Sequence, residues 1–139
     1  MKLIKLIIIL LIVSFVILGS TSFIYYHLHK PEVIIVSMDL TVEDSDVIGF
    51  NSDTDALHFG TMPPGSRGNR IINISNNQDY PIIIQIAFEG DLAPLVIATP
   101  NPLIIQPDKT SSVLFEVTVP VGAKERTYNG TAYIIQRRA

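Results

Sequence analysis

From Leu6 to Tyr26 the chain has no charged residue, and its only polar groups are Ser14, Ser20, Thr21, Ser22 and the phenols of Tyr25 and Tyr26. A helix rises about 1.5 Å per residue, so a run of this length reaches across a hydrocarbon core of roughly 30 Å. Ile, Leu and Val fill it. Ile and Val are middling helix formers in water, but in lipid the helix is the only local way to satisfy the backbone. Lys2 and Lys5 precede the run, and His27, His29 and Lys30 follow it. The two lysines and the terminal amine outweigh Lys30, so the positive-inside rule puts the N-terminus in the cytoplasm and the rest of the chain outside. Tyr25 and Tyr26 fall where an interfacial aromatic belt lies. The reading is a cytoplasmic start (1–5), a bilayer anchor (6–26), a juxtamembrane linker (27–32) and an exported domain (33–139). A cleaved signal peptide is the alternative, with Gly19-Ser20-Thr21-Ser22 as small residues for a peptidase. The apolar run resumes at Phe23-Ile24-Tyr25-Tyr26, which favours the anchor. Both readings export the domain.

The chain has 139 residues and no cysteine. Beyond the first thirty, about 109 remain, enough for one small domain with one core. This excludes a multidomain enzyme, a disulfide-stapled miniprotein, a Cys-based zinc site, a lipoprotein anchor and a multi-span transporter. The missing cysteine fits either redox compartment. The formal net charge is -3, but three of the ten basic residues lie within the first thirty and all 13 acids lie beyond them. The exported part is therefore near -6, which repels phosphate backbones and argues against nucleic acid.

After Pro31 the pattern is strands and turns. Extended runs are expected at Val33–Val42, Asp46–Phe50, Leu57–Gly60, Asn69–Ser75, Pro81–Phe88, Leu95–Thr99, Leu103–Ile105, Ser112–Val119 and Tyr128–Gln136. Pro, Gly, Asn and Asp stand between them. Ser112–Val119 is the clearest, with Val113, Phe115, Val117 and Val119 facing in. Asn69–Ser75 sets Ile72 and Ile74 against Ile71, Asn73 and Ser75. Pro81–Phe88 is Ile-rich and reads as covered on both faces. Tyr128–Gln136 turns Tyr128, Gly130, Ala132 and Ile134 to one side. Seven to nine short strands at about ten-residue spacing predict an all-β domain, an antiparallel β-sandwich of immunoglobulin-like type, behind one transmembrane helix.

The segment Leu57-His58-Phe59-Gly60-Thr61-Met62-Pro63-Pro64-Gly65-Ser66, followed by Arg70-Ile71-Ile72-Asn73-Ile74-Ser75-Asn76, resembles the "FG-x-x-x-x-G … strand … N" pattern of immunoglobulin-like modules of the major-sperm-protein and ASH type. Leu103-Ile104-Ile105-Gln106-Pro107-Asp108-Lys109 resembles their "L-x-P-G/D" turn. Val119-Pro120 through Tyr128-Asn129-Gly130 resembles their ending, although Lys124-Glu125-Arg126-Thr127 has no glycine before the tyrosine. The resemblance covers roughly residues 55–136. Versions with one N-terminal span look like archaeal surface proteins. The resemblance implies a fold and leaves the ligand open. The residues also have local reasons: Gly60 and Gly65 allow positive φ around Pro63-Pro64, and Tyr128 packs inward with a backbone partner for its hydroxyl.

No catalytic constellation stands out. A nucleophile needs a neighbouring base, and the domain has no Cys and only His58 well inside it, read as an outward strand histidine. His27, His29 and Glu32 are too few for a metal set. Asn51, Asp53 and Asp55 are weak calcium candidates, because a full loop needs Gly and Glu where Ala56 and Met62 stand. No cofactor is expected. Asn73-Ile74-Ser75 and Asn129-Gly130-Thr131 are sequons, making Asn73 and Asn129 glycosylation candidates.

The leading functional expectation is a non-enzymatic, membrane-anchored module for protein contact or a structural role in the cell envelope. Its partners are the bilayer through residues 6–26 and an envelope or surface-layer protein. One alternative is a stator-like accessory subunit of an archaeal motility or pilus machine that binds the surface layer. Another is an exported enzyme or carbohydrate-binding module, disfavoured by the lack of tryptophan and of paired carboxylates. Contact is expected through sheet edges or end loops. The candidates are Asp44, Asp46, Asp53 and Asp55 in the acidic stretch Glu43–Asp55, and Arg67 and Arg70 on the loop Thr61–Arg70. Oligomeric state is not legible.

Overall fold

The computed structural model describes residues 2–28, 30–44 and 56–139. The chain divides into two compact units, Met1–Lys30 and Pro31–Ala139. The first is one helix, α1 (Lys2–Leu28). Its window Leu3–Tyr26, 24 residues, is long and apolar enough to cross a membrane. Three of the hydroxyls within it are satisfied by the helix itself. Ser14, Ser20 and Thr21 donate to the carbonyls of Leu11, Val16 and Ile17 at 3.2, 2.8 and 2.6 Å. Such back-bonding lets a hydroxyl sit in an apolar environment without an orphaned donor.

Among the described residues the second unit has eight strands: β1 (Glu32–Val42), β2 (Leu57–Met62), β3 (Arg67–Ser75), β4 (Ile82–Gly90), β5 (Val96–Thr99), β6 (Leu103–Ile105), β7 (Thr110–Thr118) and β8 (Arg126–Arg138). A 3-10 turn, Ala93–Leu95, precedes β5. Five strands form one sheet in the order β2-β1-β8-β4-β6, and three form another in the order β3-β7-β5. From β2 onward every connection changes sheet. All pairs are antiparallel except β1 with β2, which is parallel. The sequence predicts an antiparallel arrangement throughout. The departure has a physical reason: parallel neighbours need a return crossover of a dozen or so residues, and residues 43–56 supply that length. The predicted strand Asp46–Phe50 lies outside the described residues.

The two sheets share one core. Met38, Leu40 and Val42 of β1, Ile82, Ile84 and Ile86 of β4, and Ala132 and Ile134 of β8 meet Val113, Phe115 and Val117 of β7. Phe88 meets Phe115 edge to face, with centroids 6.1 Å apart and rings at 82°. Period-2 alternation explains this placement, since successive side chains point to opposite faces. The expected inward set on β7 is buried, and Ile72 and Ile74 are half-buried while Ile71 is exposed.

The turns follow the punctuation of the sequence. Gly60 and Gly65 take φ of 78° and 82°, where a Cβ is strained. The turn that carries the chain from β2 to β3 is shorter than the predicted loop Thr61–Arg70, because strand structure runs to Met62 and resumes at Arg67. Asn76, 1% exposed, holds the turn after β3. Its Nδ2 donates to the Tyr80 and Ile105 carbonyls at 2.9 and 3.0 Å, and its Oδ1 accepts from the Gln78 N–H at 3.0 Å. Asn101 extends the pairing of β6 with β4: its side chain accepts from the Ile86 N–H at 3.0 Å and donates to the Ile86 carbonyl at 2.8 Å. Tyr128 packs on the core, and its hydroxyl donates to the Lys124 carbonyl at 3.2 Å.

Candidate interaction surface

Side-chain parity divides each sheet into an inner and an outer face. In the five-stranded sheet the even-numbered residues of β1, β4 and β8 point to the core, so the odd-numbered ones form the outside. Strand register orders them in rows. Ile104, Ile83 and Arg137 form one row across β6, β4 and β8. Gln85, Ile135 and Val33 form the next across β4, β8 and β1, followed by Ala87, Tyr133 and Ile35. Glu89, Thr131 and Ser37 come next, and Asn129, Asp39 and His58 complete the face towards β2.

One end of this face is apolar. Ile35 is 66% exposed, Ile104 58% and Val33 47%. Ile83, Ile135 and Tyr133 are half-buried beside them. The expectation that β4 is covered on both faces is corrected here: its inner face is buried, but Gln85 and Ala87 are exposed. Its apolar outer residues therefore contribute to a surface. The patch draws on four strands that the fold brings together. An exposed sheet face in a domain of this kind is ordinarily polar, and a contiguous apolar area signals a contact site.

Polar groups mark both ends of the patch. Arg137 stands in the row of Ile83 and Ile104. Glu89 stands at the other end and accepts a hydrogen bond from the Tyr133 hydroxyl at 2.7 Å. That bond, together with the carboxylate charge, raises the Tyr133 phenol above its ordinary 10.0. Beyond Glu89, Asp39 and His58 face each other across β1 and β2, and His58 Nδ1 is bonded to Asp39 Oδ2. Arg70 of the other sheet donates from Nε to the His58 carbonyl at 2.8 Å. This cluster ties β1 to β2 and β2 to β3, joining the two sheets along that edge. The adjacency of Asp39 and His58 is absent from the sequence reading because it depends on the parallel pairing.

The predicted contact residues divide. Asp46, Asn51, Asp53 and Asp55 lie outside the described residues, as does the His29 of the juxtamembrane group. Asp44 is exposed just after β1. Arg67 is exposed, whereas Arg70 is half-buried on the opposite phase of β3 and bonded to β2, so the two arginines do not form one outward pair. Asn73 and Asn129 are both exposed; Asn73 Oδ1 accepts from the Ser112 hydroxyl at 2.7 Å. Among the described residues no group of three or more His, Cys, Asp or Glu could hold a metal ion. Arg126, at the start of β8, pairs with Asp91 at 3.0 Å and lies 4.4 Å from the Tyr128 ring centroid. A cleft of about 550 Å³ opens between the sheets, lined mainly by Ile34, Val36, Ile72, Ile74, Ile84 and Ile134.

No protein-family model matches the chain, and no curated protein sequence matches it either.

Proposed function

We propose that the chain is a membrane-anchored, extracytoplasmic module with an immunoglobulin-like β-sandwich, and that it works by holding a partner in the cell envelope and not by turning over a substrate. The observation that carries this reading is the apolar end of the outer five-stranded face, built from Val33, Ile35, Ile83, Ile104 and Ile135. A soluble domain without a contact there exposes these side chains at a cost of about 25 cal/mol per Å² of apolar surface. The apolar helix α1 supports the anchor. The two-sheet core and the bond from the Tyr128 hydroxyl back to Lys124 support the immunoglobulin-like comparison, since such domains use a tyrosine this way at a strand corner. Compared with the sequence expectation, the proposed contact moves from sheet edges or end loops to a sheet face.

The test has two arms. Protease added to intact, wall-stripped cells should remove residues 31–139; protection until lysis contradicts the exported orientation. Capture of envelope proteins from solubilised membranes should be lost on Ile35→Asp and retained on Ile71→Asp, which lies on the other sheet. Equal capture by both variants contradicts the assigned face.

A further inference from the structure

The ends of the apolar patch carry opposite charges, and that arrangement points to its occupant. Arg137 and Glu89 lie on neighbouring strands and on the same outer face. Thr131, which pairs with Glu89, is six residues from Arg137 along β8, so the two charged rows are about 20 Å apart at 3.4 Å per residue. Between them lie the rows of Ile135 with Val33 and of Tyr133 with Ile35. A two-fold axis that runs across the strands, between those two rows, exchanges the ends. It lays the Ile135 row of one copy over the Tyr133 row of the other. It also brings each Arg137 over the row that holds the partner's Glu89. A two-fold axis parallel to the strands instead keeps each row over itself, so that the row of Arg137 faces the partner's row of Arg137 and the row of Glu89 faces the partner's row of Glu89. Charge complementarity selects the first arrangement.

We propose that this face pairs with the same face of a second copy of the chain, as an isologous dimer whose sheets stack about 10 Å apart. Each side offers roughly ten residues, against the 20–30 of a standard interface. The contact is accordingly weak for a freely diffusing domain and is favoured when two anchors share one bilayer, which raises the effective concentration. Arg137 and Glu89 fix the register more than they add affinity. The dimer rests on the proposed contact face and takes the partner held there to be a second copy of the chain; it is separate from the exported orientation, which protease protection alone tests.

The chain has no cysteine, so single-cysteine variants report cleanly. The experiment uses the full chain in the membrane where it is expressed. Gln85→Cys is placed in the patch and Ile97→Cys on the outside of the three-stranded sheet. Each is treated with a bismaleimide of about 10 Å span, matched to the sheet spacing, and with a monofunctional maleimide. The account expects a dimer band for Gln85→Cys and none for Ile97→Cys. In the Gln85→Cys background, Arg137→Glu should lower the dimer fraction several-fold, Glu89→Arg should do the same, and the double exchange should restore most of it. A merely destabilising effect of the single changes cannot produce that restoration. Absence of the Gln85→Cys dimer overturns the proposal. If position 85 is also shielded from the monofunctional reagent, another partner occupies the face. A dimer that the double exchange fails to restore overturns the proposed pairing.

Discussion

The two sheets present unlike surfaces. Outside the three-stranded sheet, polar residues bond to one another across neighbouring strands: the Ser75 and Thr110 hydroxyls lie 2.8 Å apart, and Ser112 donates to Asn73 at 2.7 Å. Arg67, Asn69, Glu116 and Thr118 share that face, and only a short stripe of Ile71, Leu114 and Ile97 interrupts it. Outside the five-stranded sheet, one half is polar around Asp39, His58 and Asn129, while the other half is Ile, Val, Ala and Tyr. Both sheets belong to one domain and border the same core with their inner faces, so core packing does not explain the difference between the outer ones. It teaches that folding requires only one face of each sheet to be apolar, so a second apolar face is surplus to the core and is what the proposed contact rests on.

The largest expected effect tests the parity on which this comparison rests. Phe115 is fully buried on β7, so Phe115→Ala should lower stability in urea unfolding by about 3–5 kcal/mol. Thr118→Ala, exposed on the same strand, should stay within about 0.5 kcal/mol. Comparable losses mean that the faces of β7 were assigned wrongly. Next comes Asn76, which belongs to neither outer face and fixes the turn leading from one sheet to the other. Asn76→Ala leaves the Tyr80 and Ile105 carbonyls without their donor, and each such group costs about 1–3 kcal/mol. Wild-type stability in that variant contradicts this role.

A sharper pair is Ile35 and Ile71, exposed by 66% and 65% on opposite sheets. Replacing either by Ser should change the stability of the domain by no more than about 0.5 kcal/mol. Only Ile35→Ser should reduce dimer crosslinking in membranes, and an equal reduction by Ile71→Ser removes the distinction between the faces. The smallest effect concerns Tyr133. Its phenol is raised in the fold, so its contribution to stability is complete below the ordinary value near 10 and is lost as pH rises through the folded value. The difference titration between wild type and Tyr133→Phe, followed by phenolate absorbance, should show this upward shift. Glu89→Gln should reduce it. An unchanged titration in Glu89→Gln removes the bond from the account.

Much of the scaffold is legible in the sequence because it rests on local pattern. The uncharged run marks α1, the alternation of Val113, Phe115 and Val117 marks the inner face of β7, and Pro63-Pro64-Gly65 marks a turn. The apolar outer face is not legible in the same way. Val33 and Ile35, Ile83, Ile104, and Tyr133 and Ile135 come from four separate stretches, and only the order β1-β8-β4-β6 makes them neighbours. In β4 the run Ile82-Ile83-Ile84 reads as a strand covered on both sides, because composition does not distinguish a buried outer face from one that awaits a partner. The bond between Asp39 and His58 depends on a parallel pairing across a long connection, which no local spacing announces. Acidic residues attract notice in a sequence as a possible site, yet the apolar face is the larger departure from an ordinary surface.

The central claim is that the outer face of the five-stranded sheet is covered in the membrane while that of the three-stranded sheet is open. Ile104 and Ile97 make the most direct comparison, since each is 58% exposed in the chain alone and they lie on opposite sheets. Ile104→Cys and Ile97→Cys should be labelled with a small water-soluble maleimide in intact membranes and again after denaturation. The account predicts that Ile97→Cys reacts readily in both states, and that Ile104→Cys reacts slowly in the membrane and fully once denatured. Equal, rapid labelling of both positions in the membrane would contradict it.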